Sequence, residues 1–236
     1  MEAVGIDAFH SVVHVSLNYS DDSGVREDND NPSDAALAHV GRLPNVRTLL
    51  LSDTQATDAS LVHLKNLSKL QCLYMWDASA VTDTGVEQLR NLKQLEQIHI
   101  SGSGITDESM KLFASLPNIR KLSLQNNRFS NDALKYAGKA MRLETLVVGS
   151  VSRTVARSGD VYGLGDPSQC TIDDDGLAYI SGLANLAHLG VQGSKIQGSG
   201  FRHLDGLKNL KTIWIGVPPQ PHAGELIAKI PGLTIQ

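Results

Sequence analysis

The stretch LEQIHISGSGITDESMKLFASLPNIRKLSLQ (95–125) contains one pattern twice. Leu95, Ile98 and Ile100 return 24 residues later as Ile119, Leu122 and Leu124. The last two of each trio alternate with polar neighbours, which is the period of a strand with one buried face. Between the trios, Met110, Phe113 and Leu116 recur every third residue, as a helix or tight helical turn requires. The unit is therefore one strand followed by one short helix. A unit of this size cannot bury its own apolar side, so copies must stack.

Working outward, the same columns run along most of the chain. Anchors at Val46, Leu70, Leu95, Ile119, Leu143, Leu186 and Leu210 are separated by 24, 25, 24, 24, 43 and 24 residues. Apolar residues stand three, six and nine positions before every anchor, and three and five after it. An earlier copy of the strand is visible at Val12 to Leu17, 34 residues before Val46. The expected organisation is one solenoid over 1–236. It has an N-terminal cap and first strand at 1–20, an acidic insert at 21–34 and repeats over 32–217 broken by a second insert at 150–170. A C-terminal cap at 218–236 closes it. About eight strands are expected. GIDAF should cover the first core edge and PHAGELIAKIPGL (221–233) the last.

These columns resemble the leucine-rich repeat family from about Val12 to Leu233. The motif L-x-x-L-x-L stands in LEQIHI and IRKLSL, and VTDTGV and ITDESM precede it in the manner of a bacterial Thr-Asp-x-Gly-Leu subclass, similar to cysteine-containing, ribonuclease-inhibitor-like repeats. The asparagine-ladder position departs from the commoner type: it holds Ser20, Thr54, Ala78, Ser103, Asn127, Val151, Ser194 and Pro218. The resemblance implies an α/β fold, a right-handed horseshoe with a parallel sheet on its concave face and short helices on its convex face. It also implies protein recognition as the usual role.

Composition sets the outer bounds. With 21 basic and 25 acidic residues and a net charge of −4, there is no excess of positive charge to neutralise a nucleic-acid backbone. No apolar run approaches the ~18 residues of a membrane span, and MEAVGIDAFH is not a signal peptide. Two cysteines, Cys72 and Cys170, make no disulfide framework. A cytoplasmic, monomeric protein without cofactor or metal is the expectation.

Period two assigns the strand side chains. In CLYMW (72–76), Leu73 and Met75 go to the core, while Cys72, Tyr74 and Trp76 go to the concave face. That face is otherwise mostly small and polar, including Thr145/Val147/Gly149 and His188/Gly190/Gln192. Leu50, Tyr74, Trp76 and His99 break the rule. They read either as cross-strand packing or as a partner-binding hot spot. Lys121, Gln125 and Trp214 complete the candidate binding surface, Trp214 being equally suited to covering the last core edge. On the second insert, Arg153, Arg157 and Tyr162 are rim candidates, against a plain solvated loop.

Enzymatic readings find little support. Asp34, Asp58, Asp83 and Asp107 each follow a Ser or Thr and open a helical turn, where such residues act as caps. His39, His63 and His203 share a column, but no third ligand accompanies the first two. GLGDPS (163–168) lacks the lysine of a phosphate loop. Cys72 is expected two strands from His99, too far for a nucleophile and its base. The function expected is a non-enzymatic module that binds a protein partner on the concave sheet and insert-bearing rim. The alternatives are a regulatory or targeting segment of a larger enzyme, or a glycan- or peptide-binding module.

Overall fold

Alternation along each strand and threefold spacing along each turn produce one parallel sheet backed by short helices. A computed structural model describes residues 12–18, 32–52, 56–150, 154–155, 161–162, 169–215 and 221–235. Its strands are β1 (His14–Asn18), β2 (Thr48–Ser52), β3 (Cys72–Trp76), β4 (Gln97–Ile100), β5 (Lys121–Ser123), β6 (Thr145–Val147), β7 (Thr154–Val155), β8 (Val161–Tyr162), β9 (His188–Gly190), β10 (Thr212–Trp214) and β11 (Thr234–Ile235). Nine of them form a single sheet in the order β1-β2-β3-β4-β5-β6-β9-β10-β11. β7 and β8 pair only with each other, antiparallel, within the second insert. The horseshoe expected from the repeats is therefore present, with one strand more than the eight expected. The extra strand, β11, pairs Thr234 with Thr212 and Ile235 with Ile213. The C-terminal segment is thus a ninth half-repeat as well as a cover. Its helix packs Leu226 and Ile230, both 1% exposed, against the preceding unit.

On the other side of the sheet lie α1 (Pro32–Val40), α2 (Asp58–Leu61), α3 (Asp83–Val86), α4 (Asp107–Ala114), α5 (Asn131–Ala137) and α6 (Pro221–Lys229). Elsewhere the turn tightens to a 3-10 helix, as over Asp174–Ile180 and Ser199–Leu204. Apolar residues spaced by three suit that tighter winding, which superimposes residues i and i+3. The core is continuous from end to end; Leu61, Leu73, Leu89, Ile98, Phe113, Leu122, Leu146 and Leu189 are all buried. No helix among the described residues is long and apolar enough to cross a membrane.

The Ser/Thr-Asp column works differently from the expectation. Thr57, Thr82, Thr106 and Ser130 cap their own helices, each hydroxyl accepting a backbone N–H from the first turn. The aspartates that follow them bond to the next repeat instead. Asp58 accepts the backbone N–H and the hydroxyl of Thr82, both at 2.7 Å. Asp83 does the same with Thr106, at 2.9 and 2.7 Å, and adds the Ser109 hydroxyl at 2.5 Å. Asp107 takes the N–H of Ser130 at 3.0 Å and its hydroxyl at 2.5 Å. Burial pushes the Asp83 carboxyl up, but the hydrogen bonds from Ser109 and Thr106 outweigh it and hold the group below the usual carboxylate range. The small residue two places after each aspartate has the same cause. A Cβ on Gly85 would stand 2.4 Å from Asp58 Oδ1.

Two links change type. At the last, Asp174 accepts the backbone N–H of Gly198 and Gly200, both at 3.0 Å, and Gly198 has no hydroxyl to add. At the other, Asn131 faces Asp173, itself a cap. Asn131 Nδ2 donates to Asp173 Oδ1 at 2.7 Å, and Asn131 Oδ1 accepts the Asp173 N–H at 3.1 Å. An amide can do both; a carboxylate could not donate.

Candidate functional site

β3 has the burial alternation that its sequence predicts: Leu73 and Met75 are at most 1% exposed, and Cys72, Tyr74 and Trp76 are half-buried on the open side. Parallel pairing puts Leu50 beside Tyr74, and Tyr74 beside His99. Three of the four candidate residues collapse into one cluster. The Tyr74 and Trp76 rings stack at 5.7 Å between centroids with 11° between planes, and His99 lies 5.1 Å from Trp76 and 6.3 Å from Tyr74. Leu50 is half-buried next to them. The Tyr74 hydroxyl donates to Gln97 Oε1 at 3.0 Å, a support absent from the expected site.

His99 is the base of the cluster. Desolvation by the surrounding side chains lowers its pKa to about 4, so the imidazole is neutral at physiological pH. Its Nε2 is buried without a hydrogen-bond partner among the described residues. It stands on the strand next to Cys72, not two strands away, with Gln97 as the direct partner of Cys72. Burial also pushes the Cys72 thiol up, so it is not an activated nucleophile.

A second aromatic pair occurs toward the other end. Trp214 is half-buried on β10 and stacks on His188 at 5.8 Å and 21°. Trp214 thus lies on the open face rather than on the core edge. His188 Nδ1 and Gln192 Oε1 nearby are buried and unsatisfied among the described residues. Between the two aromatic groups the face is flatter and more closed than expected. Val147 is only 5% exposed, and a Cβ on Gly190 would meet its Cγ1 at 2.5 Å, so valine fills the space that glycine leaves. Gly149 is also buried.

Lys121 is exposed and Gln125 half-buried, on and just beyond β5, so the aromatic cluster and these polar residues share one face. Tyr162 belongs to β8 by its backbone, opposite Thr154. Its side chain, like Arg153, Arg157, residues 21–31 of the acidic insert and GIDAF, lies outside the described residues, while the insert's last three positions, 32–34, open α1. Among the described residues no three His, Cys, Asp or Glu side chains come together as metal ligands would. His63 lines a shallow convex groove with Arg42 and Lys65.

With this geometry in view, similarity to other proteins is confined to fold. No protein-family profile and no curated protein sequence matches the chain. Among solved structures, internalin C2 of Listeria monocytogenes superposes with a TM-score of 0.57 at 21% identity, over 84% of this chain and 74% of that one. A second internalin of the same organism, inlF, gives 0.59 at 17% identity, over 93% of this chain and 59% of that one. The chain has the leucine-rich-repeat fold that those structures share.

Proposed function

We propose that the protein is a non-enzymatic recognition module, one solenoid unit over 1–236, that binds a protein partner on its concave sheet through Tyr74, Trp76, His99 and Leu50. The observation that carries this is the Tyr74–Trp76–His99 cluster itself, which stands half-buried on a face that needs no aromatic side chains to hold its strands together. Aromatic residues in that setting supply large contact area at small entropic cost and dominate binding energy where they occur. A glycan platform is less well supported, because a sugar stacks on a free ring face and the indole already faces Tyr74. The finer Thr-Asp class of repeat is part of the same proposal, supported by the carboxylates that reach from one unit to the next.

The test is capture from lysate of the source organism with the intact protein and with the Tyr74→Ala/Trp76→Ala variant, followed by titration of whatever the intact protein retains. The variant should melt within about 3 °C of the parent and bind at least tenfold more weakly. Equal retention of the same partner by both would refute the assignment.

A further inference from the structure

Among the described strand residues that face the open side, Lys121 is the only formally charged one. It makes no ion pair with the described residues. Its sequence neighbour Arg120 is paired with Glu144, and Lys111, Lys135 and Lys229 are each paired with an acid on the helical side. Lys121 and Ser123 stand two residues apart on β5, so period two turns both to the same side, and the half-buried Gln125 follows at the turn just beyond the strand. A cation, a hydroxyl and a carboxamide follow one another across a face that is otherwise uncharged. The Tyr74–Trp76–His99 cluster adjoins this polar strip, because β4 pairs directly with β5 and sets Gln97 beside Lys121 and His99 beside Ser123.

Resting on the concave-face reading above, we infer that the partner presents an acidic side chain to Lys121, Ser123 and Gln125, on the same polypeptide segment that places an apolar side chain against Tyr74 and Trp76. An unpaired, exposed lysine on a strand face with no other formal charge contributes little to folding and can select partners. It favours a carboxylate and disfavours a second cation. Two strand spacings, about 10 Å, separate β3 from β5, and Lys121 is level with Cys72, so Tyr74 and Trp76 lie a further two and four residues along the strand, about 7 and 13 Å. An extended chain rises about 3.4 Å per residue, so the two anchors lie about four to five residues apart in the partner.

A phage-displayed library of random linear 12-residue peptides provides the probe, selected separately on the intact protein, on Lys121→Glu and on Tyr74→Ala/Trp76→Ala. Peptides from the intact protein should combine Asp or Glu with an aromatic or aliphatic residue about four to five positions away. Synthesised singly, they should bind Lys121→Glu at least fivefold more weakly, and exchanging their acidic residue for Lys should restore binding to that variant. Lys121 is exposed, so its variant should melt as the parent does. Peptides without an acidic residue, or with less than a fivefold loss on Lys121→Glu, overturn this inference. If those peptides still fail on the Tyr74→Ala/Trp76→Ala protein, the concave-face reading survives it. Peptides that bind all three proteins equally, or no enrichment at all, overturn both.

Discussion

Replacing Asn131 by Asp makes this repeat conform to its neighbours in sequence and should nevertheless destabilise the protein. The Asn131 amide donates to Asp173 Oδ1 at 2.7 Å. Asn131→Asp removes that charge-assisted hydrogen bond, worth about 1.5–3 kcal/mol, and sets two carboxylates against each other. Repulsion at about 4 Å near a protein surface reaches roughly 4 kcal/mol before side-chain relaxation. Both groups are half-buried and can shift, and the Asp173 N–H to position 131 survives, so a net loss of about 2–4 kcal/mol at pH 7 is expected. For a chain of this length, 1 kcal/mol corresponds to about 2–4 °C in Tm. The second mutation decides the matter. Asn131→Asp/Asp173→Thr recreates the link between Asp83 and Thr106, so the double variant should recover most of the loss, with a coupling of at least about 2 kcal/mol in a double-mutant cycle. Urea melts of the parent, the two single variants and the double variant at pH 7 measure the loss and its recovery. Additive single-mutant energies, or a single variant as stable as the parent at pH 7, would refute the reasoning.

Met75→Ala should cost about 2–5 kcal/mol by leaving a cavity under β3, whereas Trp76→Ala should leave Tm within about 3 °C, because only lateral packing is lost; thermal melts that reverse this order would overturn the strand's facing. His99 is held at about 4 in the folded protein, below the ordinary 6.5, so the folded state binds fewer protons than the unfolded one between those values. Stability is then lost as pH falls from 6.5 to 4, and His99→Gln should flatten that part of the Tm–pH curve; an unchanged slope would contradict the burial assigned to the ring. Deleting 221–236 removes β11 and the cover over Phe201, Leu204 and Leu207, and should lower Tm and promote association in sedimentation. A monomer with parental Tm would show that the segment covers nothing.

What could be read in advance follows from the range of the interactions. Columns of Leu and Ile recorded the solenoid, because burial on one face is repeated with the period of the element itself. Tyr74 and Trp76 were legible for the same reason, since period two leaves them no other side. The ninth strand was missed because its unit is shortened: Leu210 to Leu233 is 23 residues, and only Thr234 and Ile235 follow the anchor as strand. The aspartates were assigned to their own helices because capping is a local rule, whereas their partners lie 23 to 26 residues further on. Burial of His99 and Val147 was illegible for another reason. It depends on how rings and branched side chains from neighbouring strands lean over one another, and alternation records only the face, not the tilt.

Because each carboxylate is completed by the following unit, the boundaries of a functional repeat do not coincide with the boundaries of a structural one. Recombination that duplicates or deletes a whole strand-and-helix segment keeps the junction sound wherever an aspartate meets a hydroxyl cap on both sides. At Asn131 and Asp173 it does not. A segment transplanted to end at Asn131 brings an amide that expects an acid, and one transplanted to begin at Asp173 brings an acid that expects an amide. Lineages of this protein can therefore gain or lose units without breaking this link on the N-terminal side of that junction, where aspartate meets a hydroxyl cap. Across it they can do so only if both residues travel together.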